Sequence, residues 1–271
     1  MTNQISFMSA NYVARQLGYH MTEGWGQGDR AAQEHFRPLE TFPERFEVIL
    51  RDVRAMGFEA MDLWTAQLYP VWATDEHVAA ARDLLHRYKL PVPSLAGWFG
   101  ATPQEFEASC RLAVTLDCPL LAGSTSMVEK DRAFVIRTLK TYGLKLGIEN
   151  HPEKNAEELL ARIGDGGDGT IGAAIDTGWY GTQGYDAIGA IKELREYLFY
   201  VHLKDVLAPG RHDTCRYGRG VVPIQACVQT LRRVGSEGGI SVEHEPEEYD
   251  PTEDCIANLA MLRQWLREAD A

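Results

Sequence analysis

Long apolar runs, a basic surplus, paired cysteines and a glycine-rich nucleotide loop are all missing from this sequence. No stretch approaches the roughly 18 uninterrupted apolar residues of a membrane-spanning helix, so no membrane partner is expected. The opening residues MTNQISFMSANY have neither a basic start nor a long apolar core, which argues against a secretory signal. Five cysteines (Cys110, Cys118, Cys215, Cys227, Cys255) form an odd set without CxxC spacing. That pattern favours reduced thiols and a cytoplasmic location over disulfides or a structural zinc site. Basic residues number 27 against 39 acidic ones, a net charge of −12. Nucleic-acid binding depends on cationic contacts to phosphate, so no DNA or RNA partner is expected. No GxGxxG follows the first strand candidate, which removes the usual dinucleotide site and any nucleotide cofactor.

What the chain does have is a regular alternation. Short β-prone runs at 4–10, 58–64, 91–98, 118–123, 144–150, 171–177, 198–204 and 239–245 are separated by amphipathic stretches. Helix starts are signalled at Thr41–Glu44, Thr102–Glu105, Asn155–Glu158 and Asp250–Glu253, and stops by Gly57, Gly143 and Gly235. In the last helix Ile256, Leu259, Ala260, Leu262 and Leu266 give an apolar stripe at helical spacing. Eight strands alternating with eight helices predict an α/β fold, a single (β/α)8 barrel spanning residues 1–271. Residues 20–40 are a polar, Gly-rich insertion, expected to form a loop that covers the active site or is simply exposed.

The final residues of the last four strands carry the chemistry. The runs LGIE149, GAAID176, FYVH202 and ISVE243 each end an apolar segment on Glu149, Asp176, His202 or Glu243. In this barrel the C-terminal strand ends form the active site. One such acid would be read as a helix cap or surface residue; four in succession at β/α-unit spacing are not explained that way. Three carboxylates in one site repel one another and require positive charge. Lysine or arginine could supply it, but a divalent cation does so most compactly. Oxygen ligands with one imidazole suit Mn²⁺ or Mg²⁺, with Co²⁺ or Zn²⁺ as alternatives. Two residues further on, the same face presents His151, Gly178, Lys204 and Glu245. His151 and Lys204 are candidate substrate contacts, Gly178 leaves space, and Glu245 either orients a ligand or begins a loop, the loop being the preferred reading.

The segments IENHPE at 148–153, IDTGW at 175–179, VHLKD at 201–205, GRG at 218–220 and SVEHEP at 241–246 carry a resemblance. The sequence resembles the xylose isomerase-like TIM barrel superfamily, particularly its D-tagatose 3-epimerase branch. The resemblance implies that Glu149, Asp176, His202 and Glu243 bind a divalent metal and that Glu149 and Glu243 are an acid/base pair. It also implies a homo-oligomer acting on a small sugar or keto sugar. Two departures leave the sugar open: Trp179 stands where the ketose 3-epimerases carry a histidine, and Asn155 where they carry a glutamate. HLKD at 202–205 is closer to branches acting on keto-inositols, the inosose dehydratases among them. The DNA-repair branch needs ligands on earlier strands and a basic face, whereas here Asp62 is the one obvious early-strand acid and the charge is wrong.

The chemistry so implied is proton transfer next to a carbonyl. A metal on the carbonyl and adjacent hydroxyl stabilises an enediolate, one glutamate removes the proton and the other returns it from the far side. A lyase eliminating water from a keto sugar is the first rival, and a non-catalytic metal-binding partner subunit the second. Trp25, Trp64, Trp98 and Trp179 fall near the catalytic end, where aromatic walls suit sugars, although packing explains any one of them. Trp179 and Arg211 complete the candidate substrate contacts. Asp205 is expected to pair with Lys204, and the role of Glu59 and Asp62 is left open.

Overall fold

Residues 3–270 are described in the computed structural model of this chain; residues 1, 2 and 271 of the expected domain lie outside them. Eight parallel strands close into a barrel: β1 (Ile5–Met8), β2 (Met61–Trp64), β3 (Leu95–Trp98), β4 (Leu120–Ser124), β5 (Lys145–Glu149), β6 (Ile171–Asp176), β7 (Leu198–Leu203) and β10 (Gly239–Val242). Each expected strand is present, most of them shortened, while β4 runs one residue further than expected, to Ser124. Closure comes from β1, which pairs with both β2 and β10. Strands this short are marginal alone, and the barrel leaves no edge to protect.

Alternation sorts the side chains. Phe7, Leu63, Leu121, Leu146, Ile148, Val201, Leu203 and Val242 point outward into the main core beneath the helices. Met8, Trp64 and Ala96 point inward. One layer deeper, Asp62 is fully buried, accepting from Ser6 Oγ (2.7 Å), Ser94 Oγ (2.8 Å) and the Tyr200 hydroxyl (2.6 Å). Three hydroxyl donors answer the desolvation of this carboxyl, whose pKa burial nonetheless raises. Asp62 is thus an interior support of the barrel.

The helices follow most of the expected signals. Thr102 and Glu105 form the capping box of α4 (Pro103–Thr115), and Asn155 caps α7 (Ala156–Ile163) by accepting from Glu158 N. Thr41 makes no side-chain cap for α2 (Phe42–Ala55); its hydroxyl bonds back to Pro38 O instead. In α11 (Thr252–Asp270) the buried stripe is Cys255, Leu259, Leu262 and Leu266, while Ile256 and Ala260 of the expected stripe are exposed.

Two expectations are corrected. The insertion at 20–40 is not all loop: α1 (Trp25–Phe36) occupies most of it. Gly26 and Gly28 lower its intrinsic propensity, and burial of Ala32 and Phe36 offsets this. After β7, β8 (Asp205–Ala208) and β9 (Arg211–Cys215) form an antiparallel hairpin. Asp205 does not pair with Lys204; its carboxylate accepts backbone N–H groups of Val206, Gly218, Gly220 and Val222 at 3.0 Å each, tying the hairpin to the GRG segment.

Candidate active site and metal centre

The register of the barrel assembles the site. Asp176 lies opposite His202 across β6 and β7, and the Glu243 N–H extends the β10 ladder by bonding Leu203 O at 3.1 Å. Above them opens a cavity of about 430 Å³ lined by Glu149, His151, His202, Glu243 and Glu245 on one side. Trp25, Trp64, Trp98 and Trp179 line it as well. All four tryptophans singled out from the sequence therefore meet at one opening.

His202 Nδ1 is 2.5 Å from Glu149 Oε1 and 3.5 Å from Glu243 Oε2. Donor atoms of Glu149, His202 and Glu243 all lie within 4.8 Å of one another, as do those of Glu149, His151 and Asp176. Glu149 belongs to both groups. Asp176 is the most committed ligand candidate: Oδ1 accepts from Gly178 N (2.8 Å) and Trp179 N (3.1 Å) at the start of α8 (Thr177–Gln183). Its Oδ2 receives His151 Nε2 at 3.0 Å and Lys204 Nζ at 3.1 Å.

Lys204 is the site's internal cation. Its side chain is 1 % exposed, and its ammonium lies 3.1 Å from Asp176, 3.2 Å from Glu243 and 3.0 Å from Glu245. A buried charge needs such pairing. Gly178 makes room for it, since a Cβ there would fall 2.6 Å from Lys204 Cγ. Space that the sequence suggested was left for a ligand is filled by this lysine stem.

Burial is the largest influence on Glu149, His151, Asp176, His202, Lys204, His212 and Glu243, and neighbours decide the outcome. His151 and His202 bring Glu149 below its ordinary value despite burial, and Lys204 and His151 hold Asp176 well below. Against burial, Glu149 and Glu243 raise His202 to about 10, and Asp176, Glu243 and Glu245 keep Lys204 well above its usual range. Burial prevails at Glu243, pushing it up to about 8, and at His212, pushed down to about 4 with the help of Lys204.

Comparison with known proteins bears on the family. The xylose isomerase-like TIM barrel family matches residues 50–265. The chain belongs to that family. A curated relative, the uncharacterised protein YihM of Escherichia coli K12, is 26% identical over 135 residues, covering 46% of this chain. The match spans only 41% of that relative. An L-ribulose 3-epimerase structure aligns over 99% of this chain and 96% of its own with a TM-score of 0.72 at 16% identity. A xylose isomerase-like TIM barrel protein from Mycobacterium smegmatis, in complex with magnesium, aligns over 100% and 98% with a TM-score of 0.70 at 16% identity. These two likenesses concern the fold.

The residues of this xylose isomerase-like barrel fit a hard divalent cation. Carboxylate oxygens converge with imidazole nitrogens, and the buried Glu243 Oε2 has no hydrogen-bond partner among the described residues. The expected four ligands are not one compact group, because Asp176 clusters with Glu149 and His151 rather than with His202 and Glu243.

The expected substrate contacts divide. Trp179 packs edge-on against His151, with ring centroids 4.7 Å apart, and both line the cavity. Lys204 is buried among carboxylates rather than standing above them. Arg211 is not brought to this cavity: its side chain is 73 % exposed and paired with Asp213 at 2.5 Å. Its neighbour His212 is there instead, with Nδ1 held by Thr182 Oγ1 at 2.8 Å and Nε2 3.5 Å from Lys204. Hairpin alternation explains the exchange, as adjacent residues on β9 face opposite ways. Glu245, for which the sequence allowed either a ligand-orienting role or the start of a loop, joins the site by accepting from Lys204 and from Trp25 Nε1 at 3.3 Å. A strand-period reading had already placed Glu245 on the inward face, which was the available signal.

Proposed function

We propose that this chain is a divalent-metal-dependent sugar epimerase or isomerase that moves a proton at a carbon next to a carbonyl. One observation carries the reading: Glu149, His202 and Glu243 bring their donor atoms within 4.8 Å of one another at the base of a tryptophan-lined cavity. The activity of the L-ribulose 3-epimerase of similar fold agrees with it.

Glu149, His202 and Glu243, with Asp176 alongside, would hold the cation, which supplies charge neutralisation for the oxygen of the reacting carbonyl. Everything else falls to the chain. Glu149 takes the proton from one face of the substrate carbon and Glu243 delivers one to the other face, inverting the centre. Lys204 keeps Asp176, Glu243 and Glu245 in place when the cavity closes around a neutral sugar. The tryptophans exclude water and offer ring faces to C–H edges of the substrate.

Incubating the metal-loaded protein with a panel of ketoses and 3-keto sugars in D₂O, followed by NMR, tests the reading. Deuterium at the carbon next to the carbonyl, with an epimer formed and the carbon skeleton retained, is the expected result. An enone product would identify a lyase instead. No exchange with any keto sugar, together with metal binding, would leave a non-catalytic subunit.

A further inference from the structure

Beside the proposed reaction chamber a second cavity of about 670 Å³ opens against the β8–β9 hairpin and the segment 245–249. The two cavities share His212, Glu245 and Glu247 in their linings, so the second adjoins the first. The acid/base reading makes no use of this space.

Its chemistry is specific. Tyr249 is 45% exposed, yet its hydroxyl is anchored 3.1 Å from His244 Nε2 and 3.2 Å from Asp254 Oδ2. Asp254 is itself held by Arg216 Nε at 2.6 Å. A ring tied at its hydroxyl and open along its body is a fixed platform. Exposed Arg219 has no ion pair or side-chain hydrogen bond among the described residues, so its guanidinium donors are free for a ligand. Carboxylates outnumber arginines along the wall, with Asp213, Glu245, Glu247, Glu248 and Asp254 against Arg211, Arg216 and Arg219. An anionic tail is therefore disfavoured, while hydroxyl groups find acceptors and donors together.

We propose that this cavity is a second carbohydrate subsite, and that the preferred substrate is a two-unit sugar carrying its reactive keto unit at Glu149 and Glu243. Tyr249 stacks on the second ring and Arg219 donates to its hydroxyls. The proposal rests on the epimerase reading and sharpens its substrate class: a glycoside or disaccharide, as opposed to a free monosaccharide or a sugar phosphate.

Three probes sharing one ketose test it: D-fructose, isomaltulose (fructose with glucose on O6) and fructose 6-phosphate. Deuterium exchange in D₂O gives kcat/KM, and calorimetry gives affinity. The expected result is a preference of about tenfold for isomaltulose over the other two, the worth of one good aromatic contact. Tyr249→Ala and Arg219→Ala each reduce that preference and leave fructose unchanged. Equal kcat/KM for fructose and isomaltulose, a preference for the phosphate, or variants that affect fructose equally would overturn the subsite. If none of the three exchanges, the epimerase reading fails for ketoses while calorimetry still decides the subsite. Isomaltulose binding weakened by Tyr249→Ala then supports it, and unchanged binding overturns it.

Discussion

The first four strands of the barrel and the last four end differently. β1 to β4 bring Met8, Trp64, Ala96, Trp98 and Ser124 to the mouth, none of them charged. β5 and β6 end in Glu149 and Asp176, β7 carries His202 one residue before its end, and β10 runs directly into Glu243. A dry wall faces a charged one. Facing an apolar wall, the buried charged groups interact more strongly than they would in bulk water. Chemistry and shape are therefore carried by separate halves of one symmetrical scaffold, which makes them separately breakable.

The largest expected effect is on the charged half. Glu149→Gln and Glu243→Gln should each lower kcat by about 10²- to 10⁴-fold, the usual worth of a positioned acid or base, measured on whichever keto sugar the wild type accepts. Next comes the one acid on the dry half. Asp62→Ala leaves the hydroxyls of Ser6, Ser94 and Tyr200 without their acceptor, at a cost of about 1–3 kcal/mol in chemical denaturation. Metal affinity should be essentially unchanged, because Asp62 lies a layer below the mouth. His151→Ala removes one of the two partners of Asp176 Oδ2, leaving Lys204, and should weaken Mn²⁺ or Mg²⁺ binding by about 10- to 100-fold in calorimetry. Smallest is Trp25→Ala on the wall, raising KM by about threefold to tenfold with kcat retained, as loss of one aromatic contact predicts.

The two halves also differ in how far the sequence discloses them. Glu149, Asp176, His202 and Glu243 were readable because each ends an apolar run at β/α-unit spacing, a pattern that local alternation and barrel geometry suffice to interpret. Family membership followed from the same segments. Lys204 as an internal cation was not readable, since its burial depends on Gly178 one strand away. His212 and Arg211 exchanged roles because the hairpin that sets their facing could not be seen in a polar stretch. The helix of residues 25–36 was hidden by its glycines, and with it the way Trp25 reaches Glu245 across 220 positions of sequence. The tryptophan wall was visible one residue at a time, and only closure of the barrel turned four separate rings into a surface.

The account stands on Glu149 and Glu243 acting as two separate proton-transfer groups. The direct measurement is deuterium incorporation from D₂O into each epimer of an accepted keto sugar, followed by NMR for the metal-loaded wild type and the two glutamine variants. Each variant is predicted to lose exchange with one epimer selectively, Glu149→Gln failing on the epimer whose proton faces β5 and Glu243→Gln on the other. Exchange of both epimers at the wild-type rate in either variant would contradict the assignment.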